Sequence, residues 1–199
     1  MEGFKSSFRQ RELWLIAGFL FLYNFSPGLS TPLYFTMTDS LRFSQSYIGI
    51  LSSISALGWI VGALLYRPIF GNLTLKQLLN VSIGFGALTT ATFLFLSSEV
   101  SAAVVYFGSG FAGMLAMVAT LTLAADYCPP RVEGFTFAAL MSVSNLASTL
   151  ANNVGSLLYA DIFDYSLPPL VMISAAVTAV AFFVLPLLEL GDKMQGEPG

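Results

Sequence analysis

The sequence predicts an all-α membrane protein of six transmembrane helices arranged as a 3+3 inverted repeat, and three observations carry that prediction. The first is composition: of 199 residues, 56% are hydrophobic and 10% charged, with a mean hydropathy of +0.78. A soluble domain carries about 25% charged residues, so this chain lacks the polar surface to cover itself in water, and its solvent is lipid. The second is spacing. A bilayer core of about 30 Å needs roughly 20 apolar residues per helix, and such stretches run over 12–36, 46–66, 75–97, 101–125, 135–160 and 167–189. The third is a self-similarity at an offset of about half the chain. A net charge of −3 leaves no basic patch for nucleic acid. The chain has no histidine, and its single Cys128 excludes an internal disulfide.

The first span follows a basic flank, FKSSFRQR, in which Phe4 and Phe8 stand one helical turn apart; it reads as a solvated cap at the lipid surface. The span is too long for a signal-peptide core, and five more follow it, so it is not a cleaved leader. Within it lies NFSPGLSTPLYF, residues 24–35. Asn24 carries an amide that hydrocarbon cannot satisfy, and Pro27 and Pro32 each remove a backbone donor and clash with the preceding turn. A helix that only anchored the chain would avoid all three. Prolines are tolerated in lipid where neighbouring groups or water satisfy the freed carbonyls, and Ser26, Ser30 and Thr31 stand ready to do so. The segment reads as a broken or bent helix facing a cavity or gate, with a purely structural kink as the alternative.

Asp39 and Arg42 close the first loop. The second span offers Ser55, Gly58 and Gly62 on one side, small residues that let helix backbones approach. Arg67 to Asn72 turn the chain into the third span, and Ser97-Ser98-Glu99 into the fourth, where Gly108, Gly110 and Gly113 suggest close packing and a bend. Asp126 to Glu133 lead to the fifth span; there Asp126, Arg131 and Glu133 are expected to fix the loop by surface ion pairs and helix-end electrostatics. The fifth span carries Asn145, Ser148, Thr149, Asn152 and Ser156 at a 3.6-residue period, one polar stripe with Asn153 beside it. Such a stripe either hydrogen-bonds a neighbouring helix or lines a water path. Two amides on one face favour the path. Asp161 to Pro169 then lead into the last span.

Gly62-Ala63-Leu64-Leu65-Tyr66 ends the second span and Gly155-Ser156-Leu157-Leu158-Tyr159 the fifth, an offset of 155 − 62 = 93 residues. The same offset brings Ser55 onto Ser148. Three spans separate the equivalent points, so the copies face opposite ways, as in the inverted repeats of secondary transporters. With a cytoplasmic N-terminus, Lys5, Arg9, Arg11, Arg67, Lys76, Arg131 and Lys193 fall inside and only Arg42 outside. That bias predicts a multi-pass protein with both termini cytoplasmic, and an unglycosylated sequon at Asn72-Leu73-Thr74.

Enzyme chemistry has no footing. No span carries an Asp, Glu, Lys or Arg in its interior, and neither metal-ligand clusters nor phosphate-cradling glycine loops occur, so no catalytic residue, cofactor or metal is expected.

Residues 21–66, FLYNFSPGLSTPLYFTMTDSLRFSQSYIGILSSISALGWIVGALLY, resemble the folate–biopterin transporter family of the major facilitator superfamily. CPPRVEGFTFAALMSVSNLASTLANNVGSLLY, residues 128–159, is similar to the matching later segment of that family. The resemblance is to the C-terminal six-helix half, and it implies a fold like one half of such a transporter and a folate- or pterin-like solute. The superfamily loop pattern G-x-L-x-D-R-x-G-R-R reads here from Gly62 to Gly71 with Tyr66 in place of the aspartate and without the basic pair, which removes a salt-bridge gate built on that position. The chain runs from Met1 to the polar tail GDKMQGEPG. The expected partners are therefore the bilayer, a small solute, and a second copy or a separate N-terminal half. The expected function is alternating-access transport along a path lined by Asn24, Ser26, Thr31, Asn145, Ser148 and Asn152, with Pro27 and Pro32 at a helix break or gate. The rival expectation is a non-transporting membrane subunit or degenerate fragment acting as a scaffold.

Overall fold

A computed structural model describes residues 11–129 and 132–188. The flank FKSSFRQR up to Gln10, the loop residues Pro130 and Arg131, and the tail from Glu189 lie outside the described residues. The helices are α1 (Arg11–Asn24), α2 (Ser30–Phe35), α3 (Gln45–Leu65), α4 (Leu75–Thr92), α5 (Glu99–Asp126), α6 (Glu133–Leu157) and α7 (Leu167–Val184). Wider π-type turns extend three of them: Thr36–Ser40 after α2, Tyr66–Phe70 after α3 and Leu158–Ile162 after α6.

Among the described residues, five helices are long and apolar enough to cross a membrane: Gln45–Phe70, Leu75–Phe95, Glu99–Asp126, Glu133–Ile162 and Leu167–Leu188. The first span differs. It is divided into α1 and α2, neither of which spans alone, because Pro27 cannot donate to the helical ladder and Gly28 lacks a side chain to hold it. The glycine-rich fourth span, by contrast, forms one continuous helix over Glu99–Asp126.

Local chemistry sets the ends. Ser44 Oγ accepts from the Tyr47 N–H at 3.2 Å. Thr74 and Gln77 form a reciprocal capping box, as do Ser98 and Ser101. Pro168 and Pro169 sit in the first turn of α7, where a missing donor does no harm.

Packing reproduces the internal repeat. α3 packs on α5 and α6 on α1; α4 packs on α5 and α7 on α1; and α4 packs on α7. Exchanging α1 with α5, α3 with α6 and α4 with α7 maps that set of contacts onto itself. The second-to-fourth and fifth-to-first seams also share a device. A methyl added at Gly58 would overlap the Phe107 carbonyl, and one added at Gly155 would overlap the Gly28 carbonyl. Backbones this close rely on dispersion and weak contacts, since lipid supplies no hydrophobic drive between helices.

Apolar cores fill the two ends. Leu13, Leu20, Leu78, Leu123, Leu140 and Leu185 gather at the end bearing Arg11, Arg67 and Lys76. Leu33, Met37, Leu51, Phe93, Val105, Tyr159 and Leu170 gather at the opposite end, near Arg42. The outer surface is apolar too: Leu64, Val100 and Phe183 are 72%, 76% and 80% exposed. Buried polar side chains among the described residues are hydroxyls alone, at Ser82, Thr120, Thr136, Ser144 and Ser174.

Candidate functional site

The break in the first span sits between the two end cores and is clamped by α6 and α7. The Gly28 N–H donates to the Ala151 carbonyl of α6 at 2.8 Å. Ser174, 1% exposed in the middle of α7, donates its hydroxyl to the Pro27 carbonyl at 2.7 Å. In return Ser26 Oγ donates to the Ser174 carbonyl at 2.8 Å. One turn before the break, Tyr23 Oη donates to Ser82 Oγ of α4 at 3.0 Å, and Ser82 donates onward to the Leu79 carbonyl at 2.9 Å. Two backbone groups released by the break, the Gly28 N–H and the Pro27 carbonyl, thus find protein partners, as lipid requires. Further along, Thr36 Oγ1 and Tyr159 Oη lie 3.1 Å apart and tie the turn after α2 to the turn after α6.

The residues singled out from the sequence separate into two groups. Asn152 meets the break directly: its Oδ1 stands where a side chain on Gly28 would have to go. Asn24 ends α1, half-buried, with Nδ2 donating to the Leu20 carbonyl at 2.8 Å. Pro27 and Pro32 are buried, Pro27 inside the break and Pro32 in the first turn of α2. Ser26 belongs instead to the clamp on α7. Ser30 and Thr31 are exposed at the start of α2.

On α6, Asn145, Thr149 and Asn152 are exposed and Ser148 half-buried, while Ser144, Ala147, Ala151 and Gly155 form the buried stripe. The amide face therefore lies on the outside of the six-span unit. Three of its side chains bond back along the helix: Thr149 Oγ1 donates to the Asn145 carbonyl, Asn152 Nδ2 to the Ser148 carbonyl and Ser156 Oγ to the Asn152 carbonyl, at 2.9, 3.0 and 2.9 Å. The side-chain oxygens of Asn145 and Asn152 accept none of these bonds and remain as acceptors on an otherwise greasy flank.

Sequence reasoning missed Ser174 and Ser82, which hold the break. Each is a small hydroxyl in an apolar run, and the only available signal was its position at mid-span, level with a proline that frees a carbonyl.

Alongside a split first span, five spanning helices and a symmetric 3+3 packing, residues 1–190 match the model of the BT1 family. The chain belongs to the BT1 family. These are transporters of the major facilitator type, so this BT1 chain is an integral, multi-pass membrane protein. It is 30% identical to a folate-biopterin transporter of Synechocystis sp. over 92% of its own length and 40% of that protein's. It is 29% identical to a probable folate-biopterin transporter 4 of Arabidopsis thaliana, over 65% of this chain and 28% of the relative. Folate transporter 2 of Plasmodium falciparum is 24% identical over 69% of this chain and 32% of its own. The chain thus spans two fifths or less of the length of these relatives.

Proposed function

We propose that the chain forms a six-span half of a solute carrier and moves a folate- or pterin-like molecule by alternating access once a second half covers α6. The carrying observation is the exposed face of Asn145, Thr149 and Asn152, which meets the helix break at Gly28. Acceptor groups on that face are ill-suited to acyl chains and well-suited to water, a solute or a facing helix. The completing half is either a second copy or a separate N-terminal half, a reading supported by relatives of more than twice this length. In this reading Asn24, Ser148 and Thr31 extend the path above and below Asn152. Pro27 and Pro32 give the outer half of the first span freedom to move as a gate, and both termini are cytoplasmic.

Uptake of folate and biopterin into proteoliposomes holding the assembled carrier tests the assignment. Asn145→Leu with Asn152→Leu should abolish uptake while membrane insertion stays normal. Unchanged uptake by correctly inserted protein rejects the path. A second reading, a non-transporting subunit, draws support from the side chains of Thr149, Asn152 and Ser156, each of which bonds a carbonyl within α6. A lone monomer on purification in mild detergent favours that reading; a stable pair favours the carrier.

A further inference from the structure

Where the broken first span meets α3 and α5, at the end bearing Arg42, the structure holds an open pocket of about 380 Å³ apart from the amide face. From the geometry we infer that this cavity is a ligand site for a small, neutral, planar ring carrying a carbonyl acceptor. One wall comes from the broken first span through Ser30, Tyr34 and Met37; the other comes from Ile48 of α3, Phe93 in the turn after α4, and Tyr106 of α5.

The size falls within the range of small-molecule pockets, roughly 300–1,000 Å³. The walls are aromatic: Phe93 and Tyr106 form an edge-to-face pair with ring centroids 5.9 Å apart. Aromatic walls suit a flat guest. Tyr106 supplies the polar anchor. Its phenol donates only to the Met37 sulfur, at 3.7 Å, and a thioether is a weak acceptor. A carbonyl offered by a ligand is a stronger partner for that donor. Tyr34, on the opposite wall, is already paired with Gln45: it accepts from Nε2 at 3.0 Å and donates to Oε1 at 3.3 Å. Charge decides the class. None of the lining residues is ionisable at neutral pH as a cation, so a carboxylate entering the cavity would lose water without gaining a counter-charge. The site therefore selects a neutral ring, and a charged tail stays outside.

The site rests on the solute-carrier reading only for its choice of probe. Binding of biopterin to the full 199-residue chain in nanodiscs, measured by titration calorimetry with benzoate as the charged ring, tests it. Tyr106→Phe keeps the ring pair and removes one hydroxyl, and should weaken biopterin about five- to tenfold. Phe93→Leu should weaken it as well, and benzoate should not compete. Equal affinity in Tyr106→Phe, competition by benzoate, or no biopterin binding overturns the site. So does loss of binding in Asn152→Leu alone with Tyr106→Phe unaffected, which moves the ligand to α6 and leaves the transport reading standing. Tyr106-dependent binding without uptake does the reverse.

Discussion

Ser174 is the residue on which the first span hangs, because its hydroxyl and its carbonyl both face the break. Ser174→Ala removes the donor to Pro27 O and leaves a buried carbonyl unpaired, which should lower stability by about 1 kcal/mol, the scale of hydrogen bonds between membrane helices. Ser26→Ala removes the reciprocal bond. Since the two bonds use different hydroxyls and different carbonyls but both meet at Ser174 and fix the same break, the double variant should cost less than the sum, and a double-mutant cycle on thermal unfolding in detergent measures the difference. Ser144 provides the contrast. Its buried Oγ has no hydrogen-bond partner among the described residues, so Ser144→Ala should leave the unfolding midpoint unchanged or raise it. Cys128 lies just beyond α5, where burial first and the Glu133 carboxylate second push its thiol above the ordinary cysteine range. Its Sγ–H also donates to the Ala124 carbonyl at 3.0 Å. A raised thiol holds less thiolate at a given pH, so alkylation at pH 8 should be slow, and Glu133→Gln should speed it severalfold by lowering that value. An unchanged rate would show that the carboxylate does not act on the thiol.

At the scale of helices, lipid made most of the architecture readable in advance. A bilayer enforces one length on every crossing element, so the spans expected over 46–66, 75–97, 101–125, 135–160 and 167–189 match helices at 45–70, 75–95, 99–126, 133–162 and 167–188. The interruption of the first span was legible from Pro27 and Gly28, since proline acts on its own turn. What holds it was not, because Ser26 and Ser174 are 148 residues apart and no local rule links them. The polar stripe on α6 shows the same division. Its period disclosed a face, but which surroundings cover that face depends on how α6 packs, and Ala151 and Gly155 put the opposite side inward. The seam between α6 and the break depends on missing side chains. Gly155→Ala sets a methyl against the Gly28 carbonyl, and neither backbone has a flexible end to yield. It should cost about 1–3 kcal/mol and lower the thermal midpoint, whereas Gly134→Ala, with open space around its Cα, should not.

For the whole molecule, six spans put Arg11 and Leu188, the ends of the described residues, on one face, and the charge distribution predicts which. Arg11, Arg67 and Lys76 flank the core built on Leu13 and Leu75, and Arg42 flanks the opposite core built on Leu33 and Leu167. The basic residues thus follow the two ends of the packed bundle, and the seven-to-one bias of the sequence predicts that the Arg11 end is cytoplasmic. Cys128, between α5 and α6, lies at that end and serves as the native reporter. A membrane-impermeant maleimide should label it in inside-out vesicles and leave it untouched in right-side-out ones. In a Cys128→Ser background, Arg42→Cys should give the opposite result. Labelling of Cys128 from the outside alone would invert the topology. Labelling from both sides would put opposed copies in one membrane, and an inverted repeat makes such a pair geometrically natural: α3 of one copy would then face the acyl region in the same sense as α6 of the other. Self-pairing of opposed copies would in that case supply the second half, and the bias of lysine and arginine would have to be weaker than the packing of the two copies.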